Sequence, residues 1–111
     1  MPKITPKQIF PNIITLDVGG TVPTFGIFIP VSDIPGLTPD EADPYHGDYG
    51  KILHGLNKKT ATAIAAMDAA VRSSKFSVTR GTPTGVNSTT IRQTYTATFD
   101  LDTSDVDVVS E

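Results

Sequence analysis

The chain of 111 residues contains no cysteine, and this absence excludes disulfide bonds, zinc–thiolate sites and thiol nucleophiles. It also lacks a run of 18 apolar residues, about the length that a membrane-spanning helix requires. A secretory leader needs a long apolar stretch near the N-terminus, whereas Pro6 and Pro11 interrupt the first residues here. We therefore expect no signal peptide and no membrane contact, with the cytoplasm as the default location.

The common catalytic and nucleotide-binding motifs are missing too. The glycine-containing loop at residues 81–85 reads GTPTG and lacks the GK[ST] ending of a phosphate-binding loop. No serine lies in a nucleophile-elbow context, and His46 and His54 are the only histidines. The sequence therefore predicts a protein that is not an enzyme and needs no cofactor.

One loop, residues 40–48, is dense in oxygen and imidazole groups. Asp43, His46 and Asp48 are candidate ligands for a divalent ion, and a metal-dependent enzyme around His46 is one functional alternative. The loop lacks the spacing of an EF-hand, and its residue types are those of any surface loop. We therefore favour a solvated loop without a metal.

Apolar residues are sufficient for a modest core. Ile, Leu, Val and Phe make up 29 of the 111 residues, above the level at which disorder is expected. A domain of this size buries only about two thirds of its unfolded surface, so oligomerisation would be a natural way to bury more.

Residues 12–19 and 24–31 alternate between apolar and polar or small side chains, which predicts two strands of a hairpin around Gly19 and Gly20. In the connection that follows, residues 32–50, Thr38 and Glu41 form a capping box that can start only about one helical turn.

The alanine-rich segment 58–74 predicts the main helix. An earlier start near Tyr49, with Gly55 as a break, is the alternative. A period of two returns at Phe76 and Val78 and again over residues 90–101. The resulting fold class is α+β in ββ-α-ββ order: two hairpins forming one antiparallel sheet, with one main helix packed on it.

The N-terminal segment, residues 1–12, contains three prolines, and we expect an extended arm there and not a helix. The single domain would then span residues 13–109. Ile4, Ile9 and Phe10 are more apolar than a solvated tail requires, which favours an arm that docks on a neighbouring subunit; a disordered tail is the alternative.

Charge is sorted along the chain although the net charge is only −3. Residues 1–50 sum to −4, residues 51–92 to +6 and residues 93–111 to −5. The acidic and basic segments can neutralise each other within one folded chain or between neighbouring copies. The basic residues that could form a contact surface are Lys58, Lys59, Arg72, Lys75, Arg80 and Arg92.

A second functional alternative is a small module that binds nucleic acid through the basic segment 51–92. Few aromatic residues are interleaved with the basic ones, and both flanks are acidic. We therefore do not expect a nucleic-acid partner. The aspartates at the C-terminal end, Asp100, Asp102, Asp105 and Asp107, could bind a cation, but we favour solvated side chains that keep a strand edge from pairing promiscuously.

Several segments carry a resemblance to a known class of proteins: IPGLTPDEA at residues 34–42, GDYGK at 47–51, FSVTR at 76–80 and TYTATFD at 94–100. Over residues 30–105 the chain resembles small virion-associated structural proteins of cyanobacterial tailed bacteriophages. The resemblance implies a capsid decoration (cement) protein or a small head or tail protein, located in the virion, with itself and other virion proteins as partners and with no catalytic residues. The threonine-rich strands also resemble the coats of single-stranded RNA phages, but those coats end in helices and this chain does not.

These observations together predict a non-enzymatic structural subunit that forms a homo-oligomer. Assembly would use the N-terminal arm, the strand edges and complementary charge between copies.

Overall fold

The computed structural model describes residues 4–67 and 75–101. In chain order its regular elements are helix α1 (Pro6–Ile9), strands β1 (Ile14–Asp17) and β2 (Phe25–Phe28), a 3₁₀ turn (Val31–Asp33), helix α2 (Tyr49–Ala66), and strands β3 (Phe76–Arg80), β4 (Thr84–Gly85), β5 (Ile91–Arg92) and β6 (Tyr95–Phe99). The α+β class and the ββ-α-ββ order are confirmed. The two-residue strands β4 and β5 form a minor hairpin inside the loop between β3 and β6.

The expectation of an extended N-terminal arm is wrong at α1, which is one helical turn. Pro6 occupies the first turn, where its missing amide hydrogen has no intrahelical acceptor in any case. The Gln8 side chain accepts a hydrogen bond from the Thr5 amide at 2.7 Å, and the Phe10 amide donates to the Pro6 carbonyl at 2.9 Å. Proline therefore starts this helix and does not prevent it.

Strands β1 and β2 form the predicted antiparallel hairpin, with Ile14 opposite Phe28 and Asp17 opposite Phe25. The Asp17 carboxylate holds the turn together because its Oδ1 accepts hydrogen bonds from the Gly19 amide at 3.0 Å and the Thr24 amide at 2.8 Å. These two amides, Gly19 first, lower the pKa of Asp17 below its ordinary value of 3.8. A Cβ at position 19 would collide with the Val22 carbonyl, so the turn requires glycine there.

Helix α2 begins at Tyr49, nine residues before the main prediction, which makes the alternative start correct. Asp48 caps it, with Oδ1 accepting from the Lys51 amide at 3.3 Å. Gly55 is not a break: it is a buried helical residue, and its missing side chain leaves room for Ile34. The helix ends at Ala66, and the predicted helical residues 68–74 lie outside the described part of the chain.

Strands β3 and β6 pair antiparallel, with Phe76 opposite Phe99 and Val78 opposite Ala97. This face packs towards α2, while Ser77 and Thr98 face outward and share a hydroxyl hydrogen bond of 2.7 Å. The predicted division of the C-terminal strand into an apolar and a threonine face is thus confirmed. The single sheet is not: in the described residues, β1–β2, β3–β6 and β4–β5 are three separate two-stranded ladders.

The core is small and lies between α1, α2 and β3. Its buried cluster consists of Ile9, Phe10, Ile34 and Ile64, with Ala61 and Val78 also buried. Asn12 ties the N-terminal segment to the 3₁₀ turn, donating from its amide and its side-chain nitrogen to the Asp33 carboxylate at 3.1 and 2.9 Å. Within the described residues, no helix is long and apolar enough to cross a bilayer.

Candidate functional site

The β1–β2 hairpin carries large apolar side chains on both faces. Cross-strand pairing places Ile14, Leu16 and Phe28 on one face and Phe25 and Ile27 on the other. Every residue of both strands is exposed, with Phe25 at 68% and Ile27 at 77%. Among the described elements, neither strand packs extensively against any element except its partner strand. We call these five residues, with Val18, the hairpin surface.

An apolar groove of about 450 Å³ runs between the hairpin and the rest of the molecule. Ile27 lines it from the hairpin, Leu53 and Leu56 from α2, and Phe76 and Phe99 from the β3–β6 ladder. Few polar atoms interrupt this lining. The groove therefore extends the hairpin surface into a continuous region of apolar side chains that residues 4–67 and 75–101 leave uncovered.

The predicted assembly residues of the N-terminal segment divide into two groups. Ile9 and Phe10 are 7% and 8% exposed and belong to the core of their own chain. Their predicted role as docking groups for a neighbour is therefore corrected, because folding already covers them. Ile4 is half-buried, packs against the same core and lines the apolar groove.

A second, chemically different depression, of about 590 Å³, lies on the other side of α2. Lys51, His54 and Lys58 line it from one face of the helix, since they are three and four residues apart. Arg80 at the end of β3 and Tyr95 at the start of β6 complete the wall. We call this depression the basic cleft.

Side-chain hydrogen bonds hold the walls of the basic cleft. Gln93 donates from Nε2 to the carbonyls of Gly81 and Thr94, at 2.6 and 3.0 Å, and its Oε1 accepts from Arg80 Nε at 2.9 Å. The Tyr95 hydroxyl lies 3.2 Å from His54 Nε2, with the ring centroids 5.6 Å apart. The β3–β6 ladder is thus linked to α2 across the cleft.

The fold brings together only some of the residues predicted to form a basic contact surface. Lys58 and Arg80 line the cleft, whereas Lys59, Lys75 and Arg92 do not, and Arg72 lies outside the described residues. Sequence reasoning omitted Lys51 and His54 from this surface because it began the helix at residue 58. The 51-54-58 spacing, read with the earlier start, would have identified them.

Two of the three metal candidates, Asp43 and Asp48, already accept local hydrogen bonds. Asp43 Oδ2 accepts from the Tyr45 and His46 amides at 2.9 and 2.7 Å, and Asp48 caps α2. The capping box predicted in the same loop is present, with Glu41 Oε1 accepting from the Thr38 amide at 3.0 Å. Within residues 4–67 and 75–101, no group of three or more acidic or histidine side chains is placed to hold a metal ion.

Compared with known proteins, the chain matches no family model, no curated protein and no solved structure.

Proposed function

We propose that this chain is a non-enzymatic structural subunit that self-associates through its hairpin surface and the adjoining apolar groove. The observation that carries the proposal is a two-stranded hairpin whose eight strand residues are all exposed, although five of them are large and apolar. An isolated hairpin is marginally stable in water and needs a third strand or a packing partner. Exposed apolar surface of this extent is typical of interaction sites.

The size of the surface fits a stable interface. The six side chains of the hairpin surface are between 44% and 77% exposed, which at roughly 150–200 Å² per large side chain amounts to about 600 Å² over both faces. A standard interface buries about 800 Å² per partner. The hairpin surface with part of the groove reaches that area when partners cover both faces of the hairpin.

The occupant that we propose is a second copy of the chain. Within the described residues both edges of the β1–β2 ladder are unpaired. Antiparallel pairing of one edge with the same edge of a second copy around a two-fold axis extends the sheet and requires no other partner. In the four-stranded sheet that results, the apolar faces of the two hairpins lie side by side and form one larger apolar surface.

The sequence resemblance to virion proteins of tailed phages supports a biological setting for this assembly. In that setting the chain is a capsid decoration protein or a small head or tail protein, and other virion proteins are its further partners. Repeated contacts between identical copies are what such a particle requires.

The proposal is tested by the mass of the protein in solution. Leu16→Lys and Ile27→Lys each place a charge on one face of the hairpin, opposite Gly26 and Thr15, so neither change opposes a like charge across the ladder. We expect light scattering to give a multiple of the 11.8 kDa chain mass for the wild type and the mass of a single chain for both variants.

Val86→Lys is the matched control, because Val86 is a 47% exposed apolar residue away from the hairpin. It should leave the wild-type mass unchanged. A wild-type protein that remains monomeric at concentrations of about 100 µM, far above a micromolar Kd, would contradict self-association.

A further inference from the structure

We propose that the basic cleft binds the acidic C-terminal segment, residues 100–111, of a second copy of the chain. The inference rests on the proposed self-association, but it concerns a different surface from the hairpin. It assigns a ligand class, closely spaced carboxylates on a peptide, to a depression that neither the fold nor the hairpin contact uses.

The surrounding residues neutralise only part of the positive charge of the cleft. Among the described residues the one ion pair is Lys51 with Glu41, at 3.9 Å. Lys58 and Arg80 have no carboxylate partner within 4.0 Å in that part of the chain. Asp48 is the one acidic residue in the lining, and its carboxylate accepts from the Lys51 amide.

Arg80 is oriented for an anionic ligand. Its Nε donates to Gln93, whose amide is itself held by two backbone carbonyls. The two terminal nitrogens of the guanidinium make no hydrogen bond with the described residues. They are therefore available as a pair of donors, the arrangement with which arginine binds a carboxylate through two parallel hydrogen bonds.

The C-terminal segment has the matching chemistry. After Arg92 the sequence contains no basic residue, and residues 100–111 include Asp100, Asp102, Asp105, Asp107 and Glu111. Net charges of opposite sign on a cleft and a short segment steer the two together and fix their register.

Geometry favours a second copy over the same chain. Strand β6 starts at the cleft with Tyr95 and ends at Phe99, which lines the apolar groove instead. The four steps of extended strand from Tyr95 to Phe99 carry the chain about 13 Å away from the cleft. Asp100 and Asp102 follow Phe99 too closely to span that distance back, so at most the later carboxylates could reach their own cleft, whereas the cleft of a neighbouring copy is open to all of them.

The cleft is less suited to nucleic acid. Its two rings, His54 and Tyr95, contact each other and so do not offer free faces for base stacking. The acidic residues from Asp100 onward also follow β6 directly in the sequence, and their charge repels a phosphate backbone.

The absence of native cysteine makes disulfide trapping a direct test. We mix full-length chains carrying Ser104→Cys in the acidic segment with chains carrying Pro83→Cys at the cleft. We expect at least about tenfold more mixed dimer than with chains carrying Tyr45→Cys, an exposed position outside the cleft, because attraction of the segment to the cleft is worth a kcal/mol or more. Adding Lys58→Gln and Arg80→Gln to the Pro83→Cys chain, or raising salt to about 1 M, should remove the excess.

Three results would overturn the inference. The first is equal trapping by the Pro83→Cys and Tyr45→Cys chains. The second is a chain carrying both Ser104→Cys and Pro83→Cys that forms only an intramolecular disulfide, which would place the segment in its own cleft. The third is retarded migration of a single-stranded oligonucleotide at low salt that is lost with Lys58→Gln and Arg80→Gln, which would make nucleic acid the ligand.

Light scattering of the wild-type chain, read together with the trapping result, separates the two proposals. A wild-type oligomer whose Ser104→Cys and Pro83→Cys chains show no selective trapping contradicts the cleft inference alone. A wild-type protein that is monomeric contradicts the proposed function.

Discussion

The β1–β2 hairpin and the β3–β6 ladder are both two-stranded and antiparallel, yet their surroundings differ. The β3–β6 ladder turns an apolar face towards α2, with Val78 buried, and a hydroxyl-rich face outward. The hairpin has apolar side chains on both faces, and every strand residue is exposed. A sheet with one apolar face is satisfied by one helix, whereas a hairpin with two apolar faces needs more cover than the described part of the chain supplies. This difference is the reason why the proposed self-association is assigned to the hairpin.

The largest expected effect is a difference in unfolding free energy between two Phe→Ala substitutions, one in the core and one in the hairpin. Phe10→Ala removes a core side chain and is expected to cost about 3–5 kcal/mol of unfolding free energy. Phe25→Ala removes an exposed one and should cost the isolated chain less than about 1 kcal/mol. Urea unfolding at a concentration where the protein is dilute enough to be monomeric measures both. Equal losses would contradict the contrast between core and hairpin.

A smaller change in the free energy of unfolding is expected from Gly55→Ala. Alanine normally stabilises a helix interior by about 1 kcal/mol over glycine, but here its methyl group would collide with Ile34, with the Pro35 carbonyl oxygen only 3.1 Å away. Overpacking of this kind costs about 1–3 kcal/mol, so we expect a net loss of stability and a lower Tm.

Gly50→Ala in the first turn of the same helix is the matched control, since its methyl group would meet a single side-chain atom, the capping Asp48 Oδ1 at 3.2 Å, and no backbone atom. This change should leave Tm unchanged or raise it. A Tm that rises equally in both variants would show that Ile34 does not pack against Gly55.

The smallest effect is a pH dependence confined to the hairpin. Because hydrogen bonds from Gly19 and Thr24 lower the pKa of Asp17 in the folded chain, its contribution to stability is complete above the unfolded pKa, near 4. That contribution is lost as the pH falls through the lower folded pKa. We expect the amide resonances of the turn to shift as Asp17 titrates, with a midpoint below 3.8.

Asp17→Asn should abolish that titration while leaving resonances of the β3–β6 ladder unaffected. A midpoint at or above the ordinary value would contradict the two hydrogen bonds. Loss of the hairpin at neutral pH in the Asn variant would show that the charge, and not the acceptor oxygen alone, holds the turn.

Local pattern was a good guide where the signal lies within a few residues. The period of two located both strands of the hairpin and the two faces of β6, and the capping box at Thr38 formed with its reciprocal partner Glu41. Predictions that required knowledge of distant contacts were less successful. Gly55 has the appearance of a helix break until Ile34, 21 residues earlier, is placed against it. The proline-rich N-terminus was predicted to be extended because prolines were counted without their position in the first helical turn.

The basic cleft also depends on contacts between residues that are distant in the sequence. Its residues come from two segments, 48–58 and 80–95, which only the packing of β3 against α2 brings together. The order of residues is enough to show that charge is sorted along the chain. It does not show which basic side chains share a cleft, or which of them lack an acidic neighbour.

What the sequence determined by itself was the class of the fold and the order of its elements, because alternation, alanine content and turn residues act over a few positions. The absence of cysteine likewise excluded disulfide bonds and thiol chemistry. Only the tertiary structure decided that Ile9 and Phe10 belong to the core and that the hairpin's apolar residues do not, because burial depends on which elements pack together. The same residue types are buried in one place and exposed in the other.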